Sequence, residues 1–178
     1  MKNTLAYFLH QSNCSADAGG LNLSMEMRLE KRDAFTINGY LIETLATDES
    51  YDMKSIALRE KHEKLLRADN ATLYGATWFT DDGNLYYLFG AAQAIETERE
   101  IGAGQANQNH AGSDNVLIPK GLFAVATVPK DMLLIQAWGV MWETGLPSIG
   151  YNYIEAEKCF ELFGENDVRE IWVPVLKA

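Results

Sequence analysis

The sequence predicts an α+β domain built from two copies of a strand-helix-strand-strand unit. Residues 25–46, 73–79 and 85–93 read as strands, whereas the intervening residues 48–69 are charged and helical in character. The same order of elements returns in residues 116–178. This duplication predicts a pseudo-twofold arrangement in which antiparallel strands carry two helices.

The first unit contains one or two strands in residues 25–46, with Gly39-Tyr40 at their centre. The helix at 48–69 includes a mixed-charge run at 54–64, which is typical of a solvated helix face. Asp82-Gly83 lies between the two aromatic strands that follow, and this is a strong hairpin signal. The helix also has a modest apolar stripe, formed by Met53, Ile56, Ala57 and Leu65.

The second unit has a much more apolar helix. Trp138 and Trp142 are four residues apart and therefore share one face of it, while Gly145 and Pro147 are expected to end it. Two tryptophans on one face indicate core packing, and the same geometry is compatible with a pocket wall. The expected elements are a strand at 116–128, a helix at 131–143, and strands at 158–163 and 169–176.

Residues 1–24 and 97–114 show neither the helical nor the strand periodicity of apolar residues, so we expect a loosely attached extension and a connecting loop. The domain is assigned to 25–178, with repeats at about 25–95 and 116–178. The 24 residues of the extension are too few for a helix-turn-helix unit and contain a single Lys and no Arg.

Charge and length limit the classes of function. The 178 residues contain 25 acidic and 15 basic side chains, and a net charge of −10 disfavours a phosphate-binding surface for nucleic acid. A charged ligand is therefore expected to be a cation. No apolar run approaches the roughly 18 residues that span a bilayer, so we expect a cytoplasmic protein without a membrane segment.

The spacing of cysteine and histidine suggests no metal site, no disulfide framework and no cofactor. Cys14 and Cys159 are far apart and belong to no CxxC motif. Three histidines lie in the extension, the charged helix and the loop without partners at metal-ligand or catalytic-triad spacing: His10, His62 and His110.

Two carboxylates stand in otherwise apolar strands of the second unit. Glu161 shares a strand face with Cys159 and Phe163, and Glu170 opens the last strand. Burying an ionised carboxylate without a partner costs several kcal/mol, so each is solvated, paired within the protein, or available to a cation. The residues alone leave these alternatives open.

A set of short motifs, in this order, resembles the GyrI-like effector-binding family, the drug-sensing module of AraC-type and MerR-type regulators. The resemblance runs from about Met25 to Lys177. The motifs are Phe35 through Gly39-Tyr40, Tyr74-Gly75, Tyr87 through Gly90, Ile118-Pro119-Lys120-Gly121, Leu146-Pro147-Ser148-Ile149-Gly150-Tyr151, Phe160-Glu161-Leu162-Phe163 and Glu170 through Val175.

The resemblance implies a free-standing binding domain with a small-molecule cleft beneath two helices. In relatives that bind lipophilic cations, a Glu in the Phe-Glu-x-aromatic motif faces the ligand, and here that residue is Glu161. Three departures alter the expected pocket: Gly145 replaces a frequent Trp, the Lys158-Cys159 region replaces a Pro, and Phe163 replaces a Tyr.

We therefore expect a non-enzymatic binder of lipophilic or aromatic organic cations, with no catalytic residue assigned. An alternative is a small-molecule hydrolase that uses Glu161 as general base with a Tyr. Another is a protein-interaction inhibitor of the gyrase-inhibitor type, in which the acidic surface meets a protein partner. The predicted ligand-binding residues are Glu161, Trp138, Trp142, Tyr151, Tyr40, Tyr74, Trp172 and Glu170.

Overall fold

The computed structural model describes residues 25–69, 72–93, 114–155 and 157–177. The extension predicted at 1–24 and nearly all of the loop predicted at 97–114 lie outside these residues. The strands are β1 (Glu26–Arg32), β2 (Phe35–Leu45), β3 (Leu73–Phe79), β4 (Asn84–Gln93), β5 (Asp114–Ile118), β6 (Gly121–Thr127), β7 (Tyr151–Tyr153), β8 (Cys159–Phe163) and β9 (Arg169–Lys177). The α-helices are α1 (Tyr51–Asp69), α2 (Leu134–Val140) and α3 (Leu146–Ile149).

All strand pairs are antiparallel, and the main sheet has the order β1-β6-β9-β8-β3-β4-β2-β5, with β7 added on β9. The two repeats are β2-α1-β3-β4 and β6-α2-β8-β9, and they meet where β3 pairs with β8. The predicted α+β duplication is confirmed. Each repeat also receives an edge strand from the other half of the chain. β1, which precedes the first repeat, pairs with β6 of the second, and β5, which precedes the second repeat, pairs with β2 of the first.

The central strand pair divides its side chains between two buried faces. On β8, Cys159 and Glu161 point toward the helices, whereas Phe160 joins an aromatic core on the opposite face. That second core also contains Phe35, Phe123 and Trp172, with the Phe123 and Phe160 ring centroids 5.5 Å apart. Because both faces are buried, β3 and β8 read as nearly continuous apolar runs.

The predicted end of the second helix is wrong. The chain continues from α2 through a π-helical turn, Met141–Gly145, into α3, and it stops at Gly150 in the left-handed conformation (φ 69°). The Leu146 N–H donates to the Met141 carbonyl, five residues back. Pro147 then falls in the first turn of α3, where a missing N–H costs little.

The single strand predicted at 116–128 is also wrong, because it consists of β5 and β6 separated at Pro119 and Lys120. Proline cannot donate to a ladder, so it is suited to the point where the chain changes partners. β5 pairs with β2, whereas β6 pairs with β1 and β9. The short strand β7 was not predicted.

Strands β2 and β4 approach closely at two directly opposed glycines, Gly39 and Gly90. A Cβ atom on Gly39 would lie 2.1 Å from the Phe89 carbonyl oxygen, and one on Gly90 would lie 2.0 Å from the Asn38 carbonyl oxygen. Both obstacles are backbone atoms, so no side-chain rotation can relieve the overlap. Glycine is therefore required at this crossing.

We expect Gly39→Ala to lower the free energy of unfolding by roughly 3 kcal/mol or more, because the new methyl must separate two paired strands. Gly121→Ala is the matched control, since its Cβ would meet only the Phe123 ring at 3.7 Å. Urea denaturation followed by circular dichroism measures both variants. Equal stabilities would contradict the close approach.

Candidate functional site

The side chain of Glu161 is buried at the seam between the repeats, with 5% of the residue exposed. The Tyr87 hydroxyl donates to Oε2 at 2.9 Å, and the Trp138 Nε1–H donates to Oε1 at 2.8 Å. Tyr87 lies on β4 of the first repeat and Trp138 on α2 of the second. Each oxygen of the carboxylate thus has a donor, and the two donors come from different halves of the fold.

Arg59 on α1 is the third partner of this carboxylate. Its Nη1 lies 3.5 Å from Oε2 of Glu161 and donates a 3.0 Å hydrogen bond to the Tyr87 hydroxyl. Its guanidinium also stands 5.8 Å from the Tyr87 ring centroid and 5.6 Å from that of Phe163. Burial alone would lower the pKa of Arg59, but Tyr87 and Glu161 outweigh it and raise that pKa.

Gly75 makes room for this cluster. It pairs with Glu161 across the β3–β8 seam, and a Cβ at Gly75 would lie 2.3 Å from the Tyr87 Oη and 2.8 Å from Oε2 of Glu161. Any side chain here would occupy the space in which the tyrosine meets the carboxylate. The Tyr74-Gly75 motif therefore has a steric role in the site.

The cluster opens into a cavity of about 300 Å³ between α1, the start of α2 and the sheet. One wall is apolar, and the charged groups are Asp52, Arg59, Glu161 and Arg169. Arg169 donates hydrogen bonds to the backbone carbonyls of Pro129, Lys130 and Met132. The full lining is Tyr51, Asp52, Ser55, Ile56, Arg59, Tyr87, Leu133, Leu134, Ile135, Trp138, Glu161 and Arg169.

Burial controls the protonation of the groups around the cavity. It raises the pKa values of the Tyr51 and Tyr87 hydroxyls, so both remain protonated donors near neutral pH. Burial also raises the pKa of Asp52, against the opposing effect of Arg59. Burial raises the pKa of the Cys159 thiol, on the same strand as Glu161, to about 12. The thiol is therefore not a nucleophile at neutral pH.

Two of the eight predicted ligand residues, Glu161 and Trp138, line this cavity. Trp142 stacks behind Trp138, with ring centroids 5.9 Å apart, and packs its edge against Tyr153. Tyr151 is half-buried against the same apolar core. Trp142 therefore supports the cavity wall from behind, and a ligand-binding role for Trp142 and Tyr151 stays a prediction.

The other four predicted residues lie elsewhere. Tyr40 stacks on His62 of α1, with ring centroids 3.6 Å apart. Tyr74 and Trp172 belong to the aromatic core on the far face of the sheet. Glu170 is held by Arg28 at 2.9 Å and by the Trp172 Nε1–H at 2.9 Å. The structure does not bring this set to the cavity.

The sequence analysis missed the charged face of α1, and it did not predict Tyr87 as a partner of Glu161. Arg59, assigned to a solvated run, has a side chain only 17% exposed. The predicted apolar stripe is wrong, because all four of its members are exposed instead: Met53, Ile56, Ala57 and Leu65. A usable signal was present, because Asp52, Ser55 and Arg59 recur at intervals of three and four residues and so share one helix face.

Within the described residues, no group of three or more His, Cys, Asp or Glu side chains is arranged to hold a metal ion. The helices in the same residues include none that is long and apolar enough to cross a bilayer. The charged and polar groups that line the cavity are carboxylate, guanidinium, hydroxyl and indole groups.

No protein-family model and no curated protein matches the sequence significantly. Solved structures do match. An integron cassette protein from the mobile metagenome of Vibrio cholerae superposes with a TM-score of 0.62 at 20% identity, covering 88% of this chain and 100% of that chain. SAV2435, solved bound to tetraphenylphosphonium, superposes with a TM-score of 0.62 at 18% identity, covering 85% of this chain and 94% of that chain. The EcmrR C-terminal domain superposes with a TM-score of 0.52 at 12% identity, covering 88% of this chain and 100% of that chain.

The chain has a GyrI-like fold. The resemblance inferred from the motif order is thereby confirmed at the level of architecture. Identities of 12–20% establish this shared GyrI-like fold alone, so the ligand must be argued from the cavity.

We expect Gly75→Ala to disrupt the cluster, because the methyl would displace the Tyr87 hydroxyl from Glu161. A buried carboxylate that loses a donor costs about 1–3 kcal/mol, so the free energy of unfolding should fall by at least that amount. Combining it with Tyr87→Phe tests the cause, since the losses should be less than additive. Fully additive losses in urea denaturation would show that Gly75 acts elsewhere.

Proposed function

We propose that this protein binds small amphipathic organic cations in the cavity between α1 and α2, with Glu161 as the counter-charge. The observation that carries the proposal is a carboxylate only 5% exposed, bordered by Trp138 and Tyr87 and open to a partly apolar cavity. A desolvated carboxylate beside aromatic rings attracts a soft cation more strongly than a hydrated inorganic ion.

The magnitudes favour moderate affinity. Burying about 200 Å² of apolar ligand surface contributes roughly 5 kcal/mol at about 25 cal/mol/Å². A cation about 4 Å from a carboxylate gains on the order of 4 kcal/mol at an effective dielectric near 20, part of which is offset by desolvation. The flanking aromatic faces add roughly 0.5–2 kcal/mol. After an association cost of at least about 4 kcal/mol, at most about 5.5–7 kcal/mol remains, which corresponds to dissociation constants of about 10–100 μM or weaker.

The surroundings of the cavity suit an apolar ligand body. Leu133 and Ile135, at the start of α2, line the cavity and remain exposed to solvent, at 63% and 39%. Exposed apolar side chains beside a polar anchor are a frequent property of ligand sites. The binding of tetraphenylphosphonium by SAV2435, which shares the fold, supports the same class of ligand.

The test is calorimetric titration with tetraphenylphosphonium and with triphenylphosphine oxide, a neutral analogue of related shape. We expect the cation to bind with a dissociation constant of about 10–100 μM or somewhat weaker, and Glu161→Gln should weaken binding at least tenfold because the counter-charge is lost. Binding of the neutral analogue should change little in the same variant.

Glu170→Gln is the matched control, since it removes a carboxylate on the neighbouring strand that is paired with Arg28 and does not line the cavity. It should bind the cation as the unmodified protein does. Equal loss in both carboxylate variants, or no dependence on Glu161, would overturn the proposal.

A further inference from the structure

The carboxylate proposed to receive a ligand cation already has one beside it. Arg59 Nη1 is 3.5 Å from Oε2 of Glu161, and both side chains line the same cavity. A second cation cannot approach the same oxygen closely while this guanidinium remains there, because the two positive charges would repel each other. A ligand cation must therefore displace Arg59 or bind less deeply.

We propose that Arg59 is a displaceable internal counter-ion of Glu161, and that Asp52 receives its guanidinium when a ligand cation takes its place. This inference rests on the proposed function and deepens it. Arg59 and Asp52 then select cationic ligands, because only a positively charged ligand can replace the guanidinium beside Glu161.

Asp52 has the properties of the receiving group. It lines the same cavity, and its carboxylate forms no hydrogen bond or ion pair with any residue in the described parts of the chain. Burial raises the pKa of Asp52, and Arg59 is the charge that opposes this shift. A partly desolvated carboxylate that lacks a donor gains from the arrival of a guanidinium.

Asp52 and Arg59 lie on the same helix, α1, and both line the cavity. Asp52 and Arg59 are two turns apart on one face of α1, separated by about 10.5 Å along the axis. Side chains on a helix lean toward its N-terminus, so Arg59 already extends in the direction of Asp52. Changes in the side-chain torsions of Arg59 can move its guanidinium while α1 stays in place.

The contacts of Arg59 allow this exchange. Its described polar contacts are the hydroxyl of Tyr87 and the carboxylate of Glu161. Tyr87 donates to Glu161 independently of Arg59, and Trp138 holds the other carboxylate oxygen. Glu161 therefore keeps two donors and its position when the guanidinium leaves, which presents the same oxygen to a ligand.

Charge balance favours a single positive charge on the ligand. In the structure, Arg59 forms its ion pair with Glu161 at 3.5 Å, and its charge acts on Asp52 without forming an ion pair there. After the exchange, the ligand would balance Glu161 while Arg59 balances Asp52. A neutral ligand leaves the first arrangement unchanged and gains nothing from Asp52.

The test is a double-mutant cycle, with tetraphenylphosphonium titrated calorimetrically into the unmodified protein, Arg59→Gln, Asp52→Asn and the double variant. Arg59→Gln should bind about tenfold more tightly, because a charge-assisted competitor for Glu161 has been removed. Asp52→Asn should bind about fivefold more weakly in the presence of Arg59. It should have almost no effect in the Arg59→Gln background.

Arg67→Gln is the control for loss of a positive charge on the same helix, since Arg67 pairs with Glu63 and does not line the cavity. The affinity of Arg67→Gln for tetraphenylphosphonium should equal that of the unmodified protein. Thermal unfolding verifies that each variant is folded. Triphenylphosphine oxide should bind all four members of the cycle alike.

The outcomes separate this inference from the proposed function. If the cation binds in a Glu161-dependent way but Arg59→Gln does not tighten it, the exchange is wrong and the binding function stands. A loss on Asp52→Asn that persists without Arg59 means that Asp52 attracts the ligand directly, which also overturns the exchange. If neither the unmodified protein nor Arg59→Gln binds the cation, both proposals fail.

Discussion

The Glu161 carboxylate lies in the interface between sheet and helices, where an ionised group without partners would cost several kcal/mol. Its three polar partners come from a strand of the first repeat, a helix of the first repeat and a helix of the second. Satisfying one buried charge therefore fixes the relative positions of α1, α2 and β4 over the seam. The same requirement keeps the cavity polar at its base while one of its walls is apolar.

The two repeats share their order of strands and helices but differ in charge where their central strands meet. The register places Gly75 of the first repeat directly opposite Glu161 of the second on the two central strands. A second carboxylate at residue 75 would collide with the Tyr87 hydroxyl and add a like charge to the same buried volume. The glycine thus gives the seam one acid and leaves the space that its tyrosine partner needs.

Most of the fold could be predicted from the sequence, since alternating apolar residues and the Asp82-Gly83 turn report local geometry directly. Glu161 and Trp138 were singled out as a charge within an apolar strand and a ring on an apolar helix face, and the pocket role predicted for Glu161 came from the resemblance to the GyrI-like family. Arg59 was missed because the mixed-charge run was interpreted as a solvated face, although the spacing of Asp52, Ser55 and Arg59 places them on one side of the helix. The role of Gly75 depends on a contact between distant parts of the chain, which no local pattern encodes.

The pairing of β1 with β6 and of β5 with β2 interlocks the two halves of the molecule. A fragment containing only the first repeat would lack the strand that covers β2, and a fragment containing only the second would lack the cover on β6. Each would expose an open ladder of backbone donors and acceptors, which invites association with other chains. The halves are therefore expected to fold as one cooperative unit, and the carboxylate at their seam is assembled only when both are complete.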